Sequence, residues 1–365
     1  MNTGNFEWFF GVVENRHDPL KIGRVKVRAL YYHTDNKINL PTADLPWAMV
    51  ALPNTSPGIS GLGQSPSFIV EGSWVYGLFR DKERQEMLVL GTLPGKPSEL
   101  GNPNKGFYDP NRRSTNKDEA DYDLSVYPRN ANESDVNRLA VNEVGFVAES
   151  LASRRGARIE NVSTADFNPV TAADGSSIEG SNSGVFSQPE IPYNAEYPYN
   201  HVFESEKGHI LEFDDTADNE RIHLRHKIGS SFEIDKDGNW VTLTKGSAYT
   251  FTDGSSSHYI QGNSDTTING HHKLYINKDG NANNHYDIQI GPNANINIQV
   301  DKGNINVVTV DGNINVNSGG DYNLKVQGNY TETIEGNRTA VIEGSNTENT
   351  TGAKTIRGAT IDLNP

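Results

Sequence analysis

Glycine recurs every eighth residue over the C-terminal third of this 365-residue chain: at Gly238, Gly246, Gly254, Gly262 and Gly270, and in a second frame at Gly320, Gly328, Gly336, Gly344 and Gly352. Between the frames the spacing loosens, with glycines at 280, 291, 303 and 312. Two positions ahead of a glycine there is often a β-branched residue, as at Ile260, Ile268, Val310, Val326, Ile334, Ile342 and Ile356. A fixed period of this kind marks a repeat architecture. Eight residues hold one strand of about five or six residues and one corner, where glycine meets the backbone demands of the turn. Each octad offers only one or two apolar side chains, and a lone strand layer cannot bury an apolar face. Three identical chains wound about one axis resolve the conflict. Every layer then places three Val or Ile residues inside while the strands pair between chains, which also removes exposed edges.

The runs "NANINIQV", "GNINVVTV" and "GNINVN" fit this scheme, since Ile or Val alternates with Asn at period two, apolar toward the axis and amide toward water. A single-chain solenoid is the competing architecture. A calcium-binding nonapeptide roll is excluded, because it needs repeated "GGxGxD" and only one "GGD" occurs, at 319–321.

Only 34% of residues are hydrophobic and the mean hydropathy is −0.64, too polar for compact globules throughout. The absence of cysteine rules out a disulfide scaffold, a thiolate metal site and a cysteine nucleophile. The N-terminus "MNTGNFEWFF" lacks the pattern of a signal peptide, and no apolar run approaches a membrane helix. The net charge of −15 lies entirely in residues 101–365, because residues 1–100 carry ten Lys+Arg and ten Asp+Glu. An anionic chain repels phosphate backbones, so no nucleic-acid partner is expected. The weakly basic "KIGRVKVR" at 21–28 reads as a half-buried strand with a solvated face.

The N-terminal region is the most apolar and aromatic. Strands are expected at "WFFGVVENR", "GRVKVRALYY", "PWAMVAL", "SFIVEGSWVYGLFR" and "EMLVLGTL", with "HDPLKIG" as a turn opened by Asp-Pro and closed by Gly23. Five or six short strands in about ninety residues predict a small closed barrel of the OB type. Trp8, Trp47 and Trp74 are assigned to its core in preference to an exposed partner contact. The loop "PNTSPGISGLGQSPS" is expected to be mobile or ordered by a partner. The fold class is therefore all-β, in four parts. Residues 1–95 form the OB domain and 96–195 an extended linker along another subunit, with a short helix capped by Ser134 or Asp135. Residues 196–237 form a collar of β-hairpins, and 238–365 the octad-repeat trimeric β-helix.

Chemistry is sparse. His223 and His226 fall on opposite faces of a strand, and adjacent His271 and His272 diverge likewise, so a metal site is disfavoured. A histidine repeated about a three-fold axis is the one arrangement that could ring an ion. Asp214 and Asp215 read as hairpin-turn residues rather than an acid/base pair. "DGSSIEGSNSG" lacks the setting of a nucleophile elbow, and "GLGQSP" that of a phosphate loop. No catalytic, cofactor or metal residue is assigned.

"WFFGVVENRHDPLKIGRVKVR", "LPWAMV" and "VEGSWVYGLFRDKERQEMLVLGT" resemble the N-terminal OB domain of the central spike proteins in the baseplate of T-even-like contractile-tailed phages. "YPYNHVFESEKGHILEFDDTADNERIHLRHKIGSSFEID" resembles the collar that precedes the needle in that family and in the related valine-glycine-repeat spikes of type VI secretion. The octads resemble the family's intertwined trimeric β-helix, and the likeness covers about seven-tenths of the chain. The resemblance implies a homotrimer assembled in the host cytoplasm and carried at the virion tail tip. Its OB domains would attach to a hub at the end of the tail tube, and its needle would be driven through the host outer membrane by sheath contraction. A small separate tip protein of the PAAR type is implied, because "GATIDLNP" carries no His-x-His iron site. Well-known members insert a lysozyme domain between barrel and needle. Residues 96–195 are too few and too polar for it, so peptidoglycan cleavage is not carried over and a non-enzymatic function is expected. The alternatives are a glycan-degrading trimeric tail spike, which would need aromatic and carboxylate-lined grooves, and an OB barrel binding single strands.

Overall fold

The computed structural model describes residues 6–65, 68–99, 101–102, 104–109, 132–142, 155–156, 188–268, 270–277, 280, 285–300 and 302–362. The chain divides into two compact units, one of residues 1–164 with 186–269 and one of 165–185 with 270–365.

The first unit begins with a barrel of five strands: β1 (Glu7–Asn15), β2 (Val25–Ala29), β3 (Trp47–Val50), β4 (Trp74–Phe79) and β5 (Met87–Thr92). They close in the order β1-β2-β3-β5-β4, with β3 parallel to β5 and β1 returning to β4, so no edge is left open. This is the OB barrel expected from the sequence. Its core is made by Phe9, Val13, Val27, Val75, Phe79 and Val89 with their neighbours. The "HDPLKIG" turn is held by Asp18, whose carboxylate accepts from the amides of Leu20, Ile22 and Arg24, while Gly23 sits at φ +83°. The Arg24 guanidinium, 2.7 Å away, and those amides hold the Asp18 carboxyl well below the usual carboxylate range.

Several expectations are corrected here. Trp8 is 58% exposed, because strand alternation turns Phe9 inward and Trp8 outward. Trp47 and Trp74 are only partly buried. Of the charges of "KIGRVKVR" only Lys21 is exposed, and Lys26 and Arg28 are buried rather than on a solvated face. Arg28 is fully buried and paired in a fork with Glu14, at 2.6 and 3.1 Å. Arg28 also donates to the carbonyls of Thr34 and Leu40, and Glu14 accepts from Thr42 Oγ1 and the amide of Phe107. Burial pushes the Glu14 carboxyl up, but these hydrogen bonds outweigh it and hold the group below its ordinary value.

Residues 104–109 consequently lie on the barrel rather than in an extended linker. The Gly106 amide donates to the Asp35 carbonyl at 2.7 Å, and the space where its side chain would sit is filled by Arg28. The loop at 53–65 is shaped by its own chemistry: Ser56 Oγ accepts from the Gln64 amide, and a Cβ on Gly63 (φ +100°) would lie 2.2 Å from that oxygen.

A short helix, α1 (Arg138–Val141), is capped by Asn137, whose side chain accepts from the Leu139 amide; neither Ser134 nor Asp135 is the cap. The rest of the expected helix, the "DGSSIEGSNSG" segment and most of the expected linker fall outside the described residues. A five-stranded antiparallel meander follows, of β6 (Asn200–Glu204), β7 (Ile210–Asp214), β8 (Arg221–Arg225), β9 (Ser231–Ile234) and β10 (Trp240–Leu243). The collar thus extends to Leu243, beyond the expected end at 237. Gly238 is not a repeat corner but the tight turn of the β9–β10 hairpin, at φ +80° with its amide bonded to the Asp235 carbonyl. The barrel and this sheet touch through Arg16, which pairs with Glu71 at 3.2 Å and Glu206 at 2.5 Å.

From Gly246 onward the described residues contain no strand. The chain has no regular secondary structure here and bends once per octad, at Gly246, Gly254, Gly262, Gly270, Gly320, Gly328, Gly336, Gly344 and Gly352. The expectation that glycine supplies special backbone angles at these corners is corrected. None of the nine has a left-handed φ, and a Cβ on any of Gly246, Gly254, Gly262, Gly270, Gly320, Gly328, Gly336, Gly344 or Gly352 would meet nothing within 4 Å. Outside the left-handed region and with open space around the added carbon, other residues fit as well, so the single chain makes no steric demand for glycine there.

Candidate functional site

The collar sheet inverts the usual rule of apolar in and polar out. Pairing of β7 with β8 and β8 with β9 places Glu212, His223 and Glu233 in one row across the sheet, with Asp214, Arg221 and Arg225 on the same face. These charged side chains are the buried ones: Glu212 and His223 are fully inaccessible and Arg221 is 2% exposed. They are covered by α1, Arg155–Gly156 and Tyr193. Glu212 accepts from Arg221 at 2.5 Å and from Asn200 at 2.8 Å, and lies 3.1 Å from His223 Nδ1. Arg221 also donates to Glu233 and to the Arg155 carbonyl. Burial pushes the Glu212 carboxyl up, yet His223, Arg221 and Asn200 together hold it below its ordinary value. Tyr193 lies over this network, with the Arg155 and Arg221 guanidiniums 4.9 and 5.0 Å from its ring, and donates its hydroxyl proton to the Leu139 carbonyl. Its phenol is pushed up to about 12, first by burial and further by the Glu212 charge, against the pull of Arg155 and Arg221.

The opposite face of the same sheet is apolar and open. Phe203, Leu211, Phe213, Ile222, Leu224 and Trp240 project from it, between 38% and 72% exposed. Phe232 of β9 completes the surface, edge-on to Trp240 at 5.0 Å. Isolated exposed apolar residues need no explanation, but a contiguous patch spanning all five strands marks an association surface.

The octads continue this feature. Ile260, Ile268, Val326, Ile334, Ile342 and Ile356 are each 44–58% exposed and Val310 is 90% exposed, so no candidate axial residue finds a core within its own chain.

A further apolar surface is the outer wall of the barrel. Phe6, Trp8 and Phe10 project from the β1 side at 64%, 58% and 51% exposure, with Tyr76 and Leu78 of β4 directly opposite Phe10 and Trp8. Composition signals these aromatics, but the side they occupy depends on strand pairing.

Of the four histidines weighed in the sequence, only His223 lies on a strand. His223 is buried, whereas His226 lies past the end of β8 and packs against His209 with ring centroids 4.6 Å apart and planes tilted by 56°; His271 and His272 are both exposed. Asp214 ends β7 and accepts from the amide and hydroxyl of Thr216, and Asp215 is exposed, as turn residues would be. The buried Glu212–Arg221–His223–Glu233 network escapes a reading of the sequence. Its period-two alternation is visible in "ILEFD" and "RIHLR", but nothing in those strings says which face the chain covers.

A closed barrel of this strand order, followed by a sheet that opens its apolar face and by glycine octads without an internal core, defines an OB-barrel protein with a C-terminal glycine-octad repeat. Similarity to known proteins narrows this class. Residues 31–179 match the Gp5 N-terminal OB domain, although the closed barrel itself begins upstream at Glu7, and residues 320–343 match three copies of the Gp5 C-terminal repeat. The chain is 37% identical over 303 residues to Protein Gp5 of Vibrio phage KVP40, covering 75% of this chain and 66% of that protein. It is 45% identical over 115 residues to the pre-baseplate central spike protein Gp5 of Enterobacteria phage T4, covering 30% of this chain and 20% of that protein. These matches make the barrel region and the C-terminal repeats of the chain similar to those of the Gp5 proteins. The chain spans just under two thirds of the KVP40 protein and about a fifth of the T4 protein.

Proposed function

We propose that the protein is a non-enzymatic, homotrimeric central spike of a contractile phage tail. Three chains braid their octads into a β-helical needle, with the octad glycines at the corners and Ile260, Ile268, Val310, Val326, Ile334, Ile342 and Ile356 stacked along the axis. The carrying observation is that these side chains, spaced for a core, have none in the single chain. Burying each is worth about 1.5–3 kcal/mol, so association supplies what the isolated repeat lacks. The corner glycines from Gly246 to Gly352 serve the braid by leaving room for a neighbouring strand, consistent with the open space around them in one chain.

In this reading the aromatic wall of Phe6, Trp8 and Phe10 docks the barrel onto a hub protein at the end of the tail tube, where large aromatics make effective interface anchors. The needle leads toward the host outer membrane and carries a small PAAR-type tip protein. Its work is mechanical, resting on a continuous interchain hydrogen-bond ladder. Native mass spectrometry tests the foundation: the expected species has three times the 40.1 kDa chain mass, and a stable folded monomer at micromolar concentration would end the proposal. Release of soluble fragments from purified peptidoglycan or capsular polysaccharide would overturn its non-enzymatic part.

A further inference from the structure

An octad repeat has a problem that association alone does not solve. Within either frame, sliding one chain by eight residues returns glycine to glycine and β-branched residue to β-branched residue, as Ile334 replaces Val326 or Ile342 replaces Ile334. Pairing register is weakly specified wherever the pattern repeats in this way. A braided needle therefore needs a determinant that does not repeat.

We propose that the collar sheet is that determinant: its open apolar face packs on the same face of two further copies of the chain and fixes the register in which the octads braid. The inference rests on the trimeric reading above and adds a separate role for residues 200–243. Three observations carry it. The polar face of the sheet is already covered by α1, Arg155–Gly156 and Tyr193 of its own chain, so the apolar face alone is left to receive a partner. That face has no internal period. Phe203, Leu211, Leu224 and Phe232 form one row across it and Phe213, Ile222, Ile234 and Trp240 another, from strands of unrelated sequence, so a displaced copy meets a mismatched surface. Finally, the sheet ends at Leu243 and the first octad glycine after it is Gly246. Three residues reach about 11 Å at most, so chains braided from Gly246 hold their collars side by side and no other protein can reach that face as readily.

The irregular glycines at 280, 291, 303 and 312 are the competing determinant, because a slipped braid would mismatch there. They lie after the first frame, and chains leaving a docked collar reach that segment with their register already set.

The test uses the full chain. It has no cysteine, so Asn346→Cys places a single nitroxide label per chain near the far end of the repeats, and pulsed electron spin resonance reads the distances between labels. With the collar intact, a trimer giving one narrow distance is expected. Phe213→Asp with Leu224→Asp places a charge in each row of the face, at positions 41% and 54% exposed in the single chain and therefore not needed for the sheet to form. The expected result is a trimer by mass that has lost the single distance and shows longer ones, spaced by the axial rise of one octad. Phe213→Ser with Leu224→Ser is the milder second variant and is expected to show the same loss in part. A trimeric variant that keeps the one narrow distance would overturn the registering role, leaving the trimer intact and assigning register to the irregular segment. A variant that no longer associates would overturn it too, because registration presupposes octads that braid unaided. A monomeric parent protein would overturn the trimeric reading itself.

Discussion

Strands β1 and β8 both alternate at period two, but with opposite outcomes. In β1 the inward positions are Phe9 and Val13, and the barrel closes over them within one chain. In β8 the covered positions are Arg221, His223 and Arg225, while Ile222 and Leu224 are left open. The barrel can satisfy its apolar face because five strands curl until the first meets the fourth. The collar sheet stays open, and the octads after it have no second layer at all. One part of the molecule carries its own core and, in the proposed trimer, the other is a fraction of a core shared with further chains. Fold and assembly are accordingly separable properties here, and substitutions should strike one without the other.

The largest effect that would set the two apart lies at the corners. Gly328→Val with Gly336→Val should abolish the trimer in sedimentation while leaving the barrel's unfolding transition unchanged, since in the single chain the added carbons meet nothing. An intact trimer of unaltered melting temperature would show that the corners are not crowded in the assembly.

On the barrel side, Arg28→Ala leaves Glu14 buried without its charge partner. A loss of about 3–5 kcal/mol is expected in urea unfolding followed by tryptophan fluorescence, with octad association measured by mass unaffected.

Neighbouring residues of β1 probe the inside–outside distinction within one strand. Phe9→Ala, at a buried position, should cost the barrel about 3–5 kcal/mol. Exposed Trp8→Ala should change its stability by less than ~0.5 kcal/mol and act instead on capture of the hub protein in a pull-down. Equal losses of stability from the two would contradict the alternation.

The smallest effect is a matter of pH. Tyr193 titrates at about 12 in the fold against an ordinary 10.0, so its neutral form is favoured in the native state. Its contribution is complete below about pH 10 and is lost as pH rises toward about 12. Tyr193→Phe should flatten that alkaline loss in the collar's thermal unfolding, with a cost of about 1 kcal/mol at neutral pH for the missing hydrogen bond to the Leu139 carbonyl. An unchanged alkaline slope would mean that another group produces it.

Much of this is legible in the residues alone. The octad spacing is written in the positions of glycine, and the barrel strands in short apolar runs separated by turn residues such as Asp18 and Gly23, because both signals are local. Gly238 shows where a local signal misleads. It falls in the octad frame yet serves a hairpin, since Asp235 and Asn239 around it pair two strands that the spacing alone cannot reveal. The remaining octad glycines, among them Gly254, Gly262, Gly270, Gly320, Gly344 and Gly352, fall at bends of the chain, but a reason for glycine there is absent from a single chain.

From the order of residues alone it follows that the C-terminal third has repeat spacing without enough apolar mass for a core, and that the N-terminal region has enough strands to close a barrel. Which side of each strand is covered came only with the folded chain. Folding turned Trp8 out and Phe9 in, sank Arg28 against Glu14, and buried the charged face of the collar sheet beneath its own chain. Alternation fixes only that two faces differ. Which of them is sheltered depends on what distant segments fold across it, and those contacts are not encoded in any one stretch of residues.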